Sequence, residues 1–208
     1  MDKSLAVRGA IGETARTWAR ANYYLVIDLE ATTSEGGKDF PAAEMETIEI
    51  GCVLVRASTL EPIEEFDTFV RPVRHAVLLP FCTALTSITQ AMVDGAPLFH
   101  EAFAEMRRRM LSGRDGLVAW GSWGQYDADQ LQRDCVLHGV HYDMPTHLNL
   151  KDALSDAQGW RKRYGMAKAL TRCGLPLQGK HHRGIDDARN IARMLPFFVG
   201  GQQTAFFR

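Results

Sequence analysis

The sequence predicts an α/β domain in which a mixed central sheet is flanked by helices. Three observations predict it. Strand-like segments crowd the first part of the chain, over residues 22–71. A short apolar run, Gly116-Leu117-Val118-Ala119-Trp120, then reads as a buried parallel strand leading into a helix. The remainder is helical in period and interrupted at Gly165, Gly174 and Gly179.

Taken in order, residues 22–30 are apolar or aromatic until their end and read as a first, buried strand. Residues 31–41 are small, polar and glycine-bearing, which makes them a loop. Thr47–Val55 is rich in β-branched residues and reads as a second strand. Residues 62–71 alternate and give a third, so the first three strands can form an antiparallel meander. Leu85–Val93 is expected as one short helix, and Pro97 is expected in the first turn of another that runs to about Leu111. After the Gly116–Trp120 strand, a helix spans Tyr126 to His138, and His147–Leu150 supplies a last strand. Residues 1–21 read as an N-terminal extension, a short helix or a frayed end, and 201–208 as a C-terminal tail, leaving 22–200 as one domain.

Composition narrows the function classes. The 208 residues fit one domain with a sizeable core. A formal net charge of −1 excludes a molecule that holds polyanions by bulk positive charge, so any such binding rests on a local patch or bound metal. No apolar run approaches the roughly 20 residues that cross a bilayer. The first residues lack the apolar core of a secretory signal. Cys52, Cys82, Cys135 and Cys173 are scattered, without a metal clip or a disulfide framework, as expected of free thiols in a cytoplasmic protein.

The most telling residues close the first strand. Asp28 and Glu30 follow five apolar or aromatic residues at alternate positions, so both carboxylates project from one face of a strand end. Held that close, they repel unless a cation lies between them, and hard oxygen donors suit Mg²⁺ or Mn²⁺. Asp127 opens the helix after the buried parallel strand. It reads as an acid favoured at a helix start or, since α/β sites gather at such strand ends, as a site residue. In Gly179–Ala192 the apolar positions Ile185, Ala188, Ile191 and Ala192 mark one helical face, with Asp187 at its margin and Asp186 nearly opposite. Asp187 can therefore reach inward, and His182, five residues ahead, can approach the same place. His75, His100 and His147 read as structural or exposed, and His138 and His141, three residues apart, are not read as a metal site. The basic runs Arg107–Arg109 and Arg161–Arg163 read as solvated faces before phosphate contacts; Lys180 and Arg183, flanking His182, are better placed for phosphate.

Assembled in order, Asp28-x-Glu30, Asp127, and His182 with Asp187 five positions on resemble the DEDDh 3′→5′ exonucleases. The resemblance is closest to the ERI-1-like exoribonucleases and the bacterial KapD-like proteins. It is carried by Val26–Thr32, Phe81–Gln90, Trp123–Asp127 and His182–Ala192. It implies an RNase H-like fold and two Mg²⁺ ions, with Mn²⁺ able to substitute, bound by Asp28, Glu30, Asp127 and Asp187. It further implies His182 as general base, Ala31 and Thr32 at the terminal ribose, and Phe81 and Tyr126 around the terminal base. The expected partner is nucleic acid, namely single-stranded RNA 3′ ends or overhangs, shortened to nucleoside 5′-monophosphates. Two alternatives stand beside this: a DNA exonuclease or proofreading-type subunit with the same residues, and a catalytically silent nucleic-acid-binding module.

Overall fold

The computed structural model describes Trp18 and residues 20–116 and 119–204. The expectations for the N-terminal extension before Trp18 and for Leu117 and Val118 lie outside the described residues. Three antiparallel strands form first: β1 (Tyr23–Ala31), β2 (Thr47–Arg56) and β3 (Glu61–Phe69). The helices α1 (Pro80–Thr86), α2 (Gln90–Asp94) and α3 (Phe99–Met110) follow. Then come β4 (Ala119–Ser122), α4 (Tyr126–Leu137), β5 (Thr146–Asn149), α5 (Leu150–Ala157), α6 (Met166–Arg172) and α7 (Gly184–Ala192). The sheet order is β3-β2-β1-β4-β5, with β1 antiparallel to β2 and parallel to β4. The expected meander and mixed sheet are both present. No helix among the described residues is long and apolar enough to cross a membrane.

Strand alternation builds two cores. Odd positions of β1, Leu25, Ile27 and Leu29, pack with Phe103 and Met106 of α3 and Leu131 of α4. Even positions, Tyr24 and Val26, pack with Leu154 of α5, Leu170 of α6 and Ala188 and Ile191 of α7. The sheet is thus a middle layer with helices on both faces. Asp28 and Glu30 continue the even series, so they emerge on the α7 side just where the apolar run stops.

Two glycines set how closely α7 approaches. A Cβ added at Gly51 of β2 would lie 2.1 Å from the Gly184 carbonyl carbon, an overlap with backbone that no side-chain motion relieves. Gly184, the first residue of α7, lies so near β1 that a Cβ there would be 3.0 Å from the Asp28 carbonyl oxygen. Because Gly51 pairs with Asp28 across the β1–β2 ladder, this backbone crossing puts the start of α7 beside the acidic strand end.

The helical stretch expected over Leu85–Val93 is two helices. Ser87 takes a left-handed φ of 64° and its amide donates to Thr83 O at 2.8 Å, which ends α1 before α2 begins. Pro97 precedes α3 instead of lying in its first turn, since Leu98 is the N-cap.

Candidate active site

The parallel strands β1 and β4 end at the same edge of the sheet, and the chain after β4 turns at once into α4. That turn brings Asp127 to β1: its Oδ1 accepts the Leu29 amide at 3.0 Å. Asp28 and Glu30 face α7, where Asp187 is nearly buried in the first turn. One carboxylate oxygen from each of Asp28, Glu30 and Asp187 lies within 4.8 Å of the others. All four acids line one cleft of about 430 Å³. Asp186 stays outside this lining and accepts the Lys180 amide at 2.9 Å.

Crowding carboxylates at a buried strand end shows in their proton affinity. Burial, then the charges of Asp127, Glu30, Asp187 and Glu49, raises Asp28 well above the usual carboxylate range. Burial and then the neighbouring Glu49, Asp187 and Asp127 push Glu30 up to about 8, against the pull of Arg183. Burial lifts Asp127 to about 6, opposed by the Leu29 amide and the Ser122 hydroxyl. Asp187 is raised by burial, partly offset by the His182 amide and the His181 ring. Its Oδ1 is buried without a hydrogen-bond partner. A convergent set of hard oxygens, one of them unpartnered, fits a divalent cation, and the charge of that cation would reverse the upward shifts.

Both histidines of the loop before α7 line the cleft. Asp187 Oδ2 receives the His182 amide at 3.0 Å and His181 Nδ1 at 2.8 Å. The two imidazoles stack with centroids 4.0 Å apart. His182 adopts a left-handed φ of 63°, a conformation that non-glycine residues adopt only when their surroundings impose it. Burial and then His181 lower the His182 pKa, against the pull of Asp187, which favours the neutral ring that a proton acceptor requires.

Behind the cleft, Glu49 is fully buried and accepts Arg183 Nη2 at 3.0 Å and the Gly184 amide at 2.9 Å. Arg183, expected from its place beside His182 to reach phosphate, is thus committed to the protein. Arg107, Arg108 and Arg109 likewise pair with Asp143, Glu105 and Glu64, and Arg163 with Asp152 and Asp156.

The substrate-contact residues divide. Ala31 and Tyr126 line the cleft. Thr32 does not: it is buried, with its hydroxyl accepting the Glu46 amide at 2.9 Å, and Thr33 takes the place in the wall. Phe81 is 38% exposed on α1 and absent from the lining, whereas Leu85, one turn later, is present. Core packing therefore does not account for Phe81. Met45, Trp123 and Met166 complete the apolar wall; Trp123 belongs to the Trp123–Asp127 motif, whereas no sequence spacing ties Met45 and Met166 to the acids. His181 was separable from His182 only by the five-residue step to Asp187.

A family model described as Exonuclease matches residues 25–195. ERI1 exoribonuclease 3 of Homo sapiens is 33% identical over 186 residues, covering 85% of this chain and 53% of the relative. The 3′-5′ exonuclease eri1 of Schizosaccharomyces pombe is 30% identical over 204 residues, covering 83% of this chain and 66% of the relative. The chain thus spans about half the length of the mammalian relatives it matches. Among solved structures, the nuclease domain of 3′hExo, a DEDDh family member bound to rAMP, superposes with a TM-score of 0.75 at 30% identity, covering 84% of this chain and 90% of that one. Members of this family use divalent metal ions, consistent with the donor set formed by Asp28, Glu30 and Asp187. With its acids, fold and sequence in agreement, the chain belongs to the DEDDh 3′→5′ exonuclease family and is related to the ERI-1 exoribonucleases.

Proposed function

We propose that this protein is a 3′→5′ exoribonuclease that removes nucleotides from single-stranded RNA 3′ ends or overhangs and releases nucleoside 5′-monophosphates. The observation that carries the reading is the convergence of Asp28, Glu30, Asp127 and Asp187 in one cleft that His182 also lines. The RNA preference is supported by the relatives, which include the exoribonucleases and the rAMP-bound nuclease domain.

Asp28, Glu30, Asp127 and Asp187 would hold two Mg²⁺ ions, with Mn²⁺ able to substitute. When bound, such a pair neutralises phosphate charge and makes water a stronger nucleophile at neutral pH. Asp28, flanked by the other acids, would be the ligand whose loss weakens the cation site most. His182 accepts the proton of the attacking water as the water oxygen bonds to phosphorus; the P–O3′ bond breaks, and the departing 3′ oxygen of the penultimate nucleotide takes a proton from solvent. Tyr126 offers a ring face to the terminal base, an interaction that tolerates any base. Ala31 and Thr33 form the wall against which the terminal ribose rests.

End-labelled RNA and DNA of one sequence, digested side by side in Mg²⁺, test the substrate class. RNA should shorten faster, and a 3′-phosphate should block it. Faster loss of the DNA would favour the DNA exonuclease reading, and retention of both without cleavage would favour a binding module.

A further inference from the structure

The cleft does not end at Tyr126. Met45 lines it and also lines a second groove of about 480 Å³, a size that admits a nucleotide. One wall of this groove is α4. Asp129, Arg133 and Val136 follow Tyr126 at steps of three, four and three residues, which keeps them on one helical face. The stripe extends about 15 Å from the catalytic cleft. The opposite wall is formed by Ala43, Met45 and Arg74. It is firmly held: the buried Glu46 carboxylate receives the amides of Val73, Arg74 and His75 at 2.8, 2.7 and 2.7 Å.

The groove is lined by two guanidiniums, Arg133 and Arg74, and by two carboxylates, of which Asp129 is exposed. The Arg133 guanidinium lies 6.0 Å from the Tyr126 ring centroid, and its Nη2 donates to Gln130 Oε1 at 2.7 Å. Its Nε is buried without an acceptor among the described residues. Arg74 is exposed, and its guanidinium has no ion pair among the described residues. Of the two acids present, Asp134 is buried and accepts the Thr47 amide and hydroxyl and the Gln130 amide group. Asp129 accepts Gln125 Nε2 at 3.1 Å. Val136 is 83% exposed and gives the groove an apolar surface at the end remote from the cleft.

We infer that this groove holds the nucleotides immediately 5′ of the one being removed, with Arg133 and Arg74 on their phosphates and Val136 against a sugar or base. Guanidiniums placed beyond an aromatic platform are an arrangement by which single strands are gripped without sequence readout. The inference rests on the exonuclease reading above and adds the path of the strand.

The test uses the full chain, Arg74→Gln, Arg133→Gln and the double variant, with a ten-nucleotide RNA and a dinucleotide as substrates in Mg²⁺. Each single variant should raise KM for the longer RNA about tenfold, as expected when one charge-assisted hydrogen bond is removed, and the double variant about a hundredfold, with kcat little changed. The dinucleotide, too short to fill the groove, should shift by less than about twofold. The salt dependence of RNA binding should become shallower by about 0.7 for each phosphate that the variant no longer neutralises. An equal KM rise for both substrates, or no rise for either, overturns the inference while leaving the exonuclease reading intact. A wild-type protein that shortens neither substrate overturns that reading and this inference together.

Discussion

The two histidines before α7 have separable tasks. His182→Ala should lower kcat by roughly 10²–10⁴-fold at saturating Mg²⁺, the usual scale of general-base loss. His181 acts on Asp187, whose Oδ2 it holds at 2.8 Å. With this hydrogen bond, His181→Ala should raise the Mg²⁺ concentration for half-maximal activity by roughly 10-fold or more, the scale expected when a metal ligand loses its support, and leave kcat near normal at saturation. Metal titrations of the two variants check the split, and reversed phenotypes would exchange the assignments. The aromatic pair divides in a similar way. Tyr126→Ala should weaken binding of a nucleoside monophosphate by about 1–3 kcal/mol. Phe81→Ala should change binding little, because the ring is not in the cleft wall, and a calorimetric titration of each decides it. At this scale the acids were legible because strand and helix periodicities fix which way Asp28, Glu30 and Asp187 point. Thr32 and His181 were not, since their orientations depend on the register shift after Glu30 and on the left-handed turn at His182.

At the scale of elements, the site depends on how low α7 lies on the sheet. Gly51→Ala would force a methyl group into the Gly184 backbone. Overpacking of this kind costs about 1–3 kcal/mol and can cost more. The variant should melt earlier, and its folded fraction should lose activity because Asp187 moves away from Asp28. Thermal unfolding combined with activity per folded molecule measures both, and a variant that melts and cleaves like the parent would mean that the crossing is not what positions Asp187. β2 was readable in advance because its apolar residues are β-branched and bounded by loop residues. β4, in contrast, lies at Ala119–Ser122, beyond the apolar run read at Gly116–Trp120, because it carries Gly121 and Ser122 in place of apolar residues. The break at Ser87 was not readable, because Leu85–Val93 contains neither glycine nor proline and the left-handed turn there is held by a backbone hydrogen bond. The close approach of Gly51 to Gly184 was equally hidden, since it joins residues far apart in the chain.

At the scale of the whole molecule, the buried acids couple stability to pH and metal. Glu30 and Asp127 bind protons more tightly folded than unfolded, with folded values of about 8 and about 6 against ordinary values of 4.5 and 3.8. Their protonation favours the folded state, so metal-free stability should be greatest at low pH within this window and fall as pH rises through 6 and then 8. Mg²⁺ should restore Tm, and most strongly at the alkaline end, where the acids are ionised. Calorimetry across that window with and without Mg²⁺ checks the sign; a metal-free Tm that climbs with pH would contradict the crowded-carboxylate picture. The most direct test of the central claim follows the products. A 5′-labelled RNA with a 3′-hydroxyl, incubated with Mg²⁺, should yield a ladder shortened one nucleotide at a time, with nucleoside 5′-monophosphates released. EDTA should stop the reaction, and Asp28→Asn should nearly abolish it while remaining folded. Full-length RNA persisting in Mg²⁺, internal fragments from circular RNA, or near-parental activity of Asp28→Asn would contradict the account.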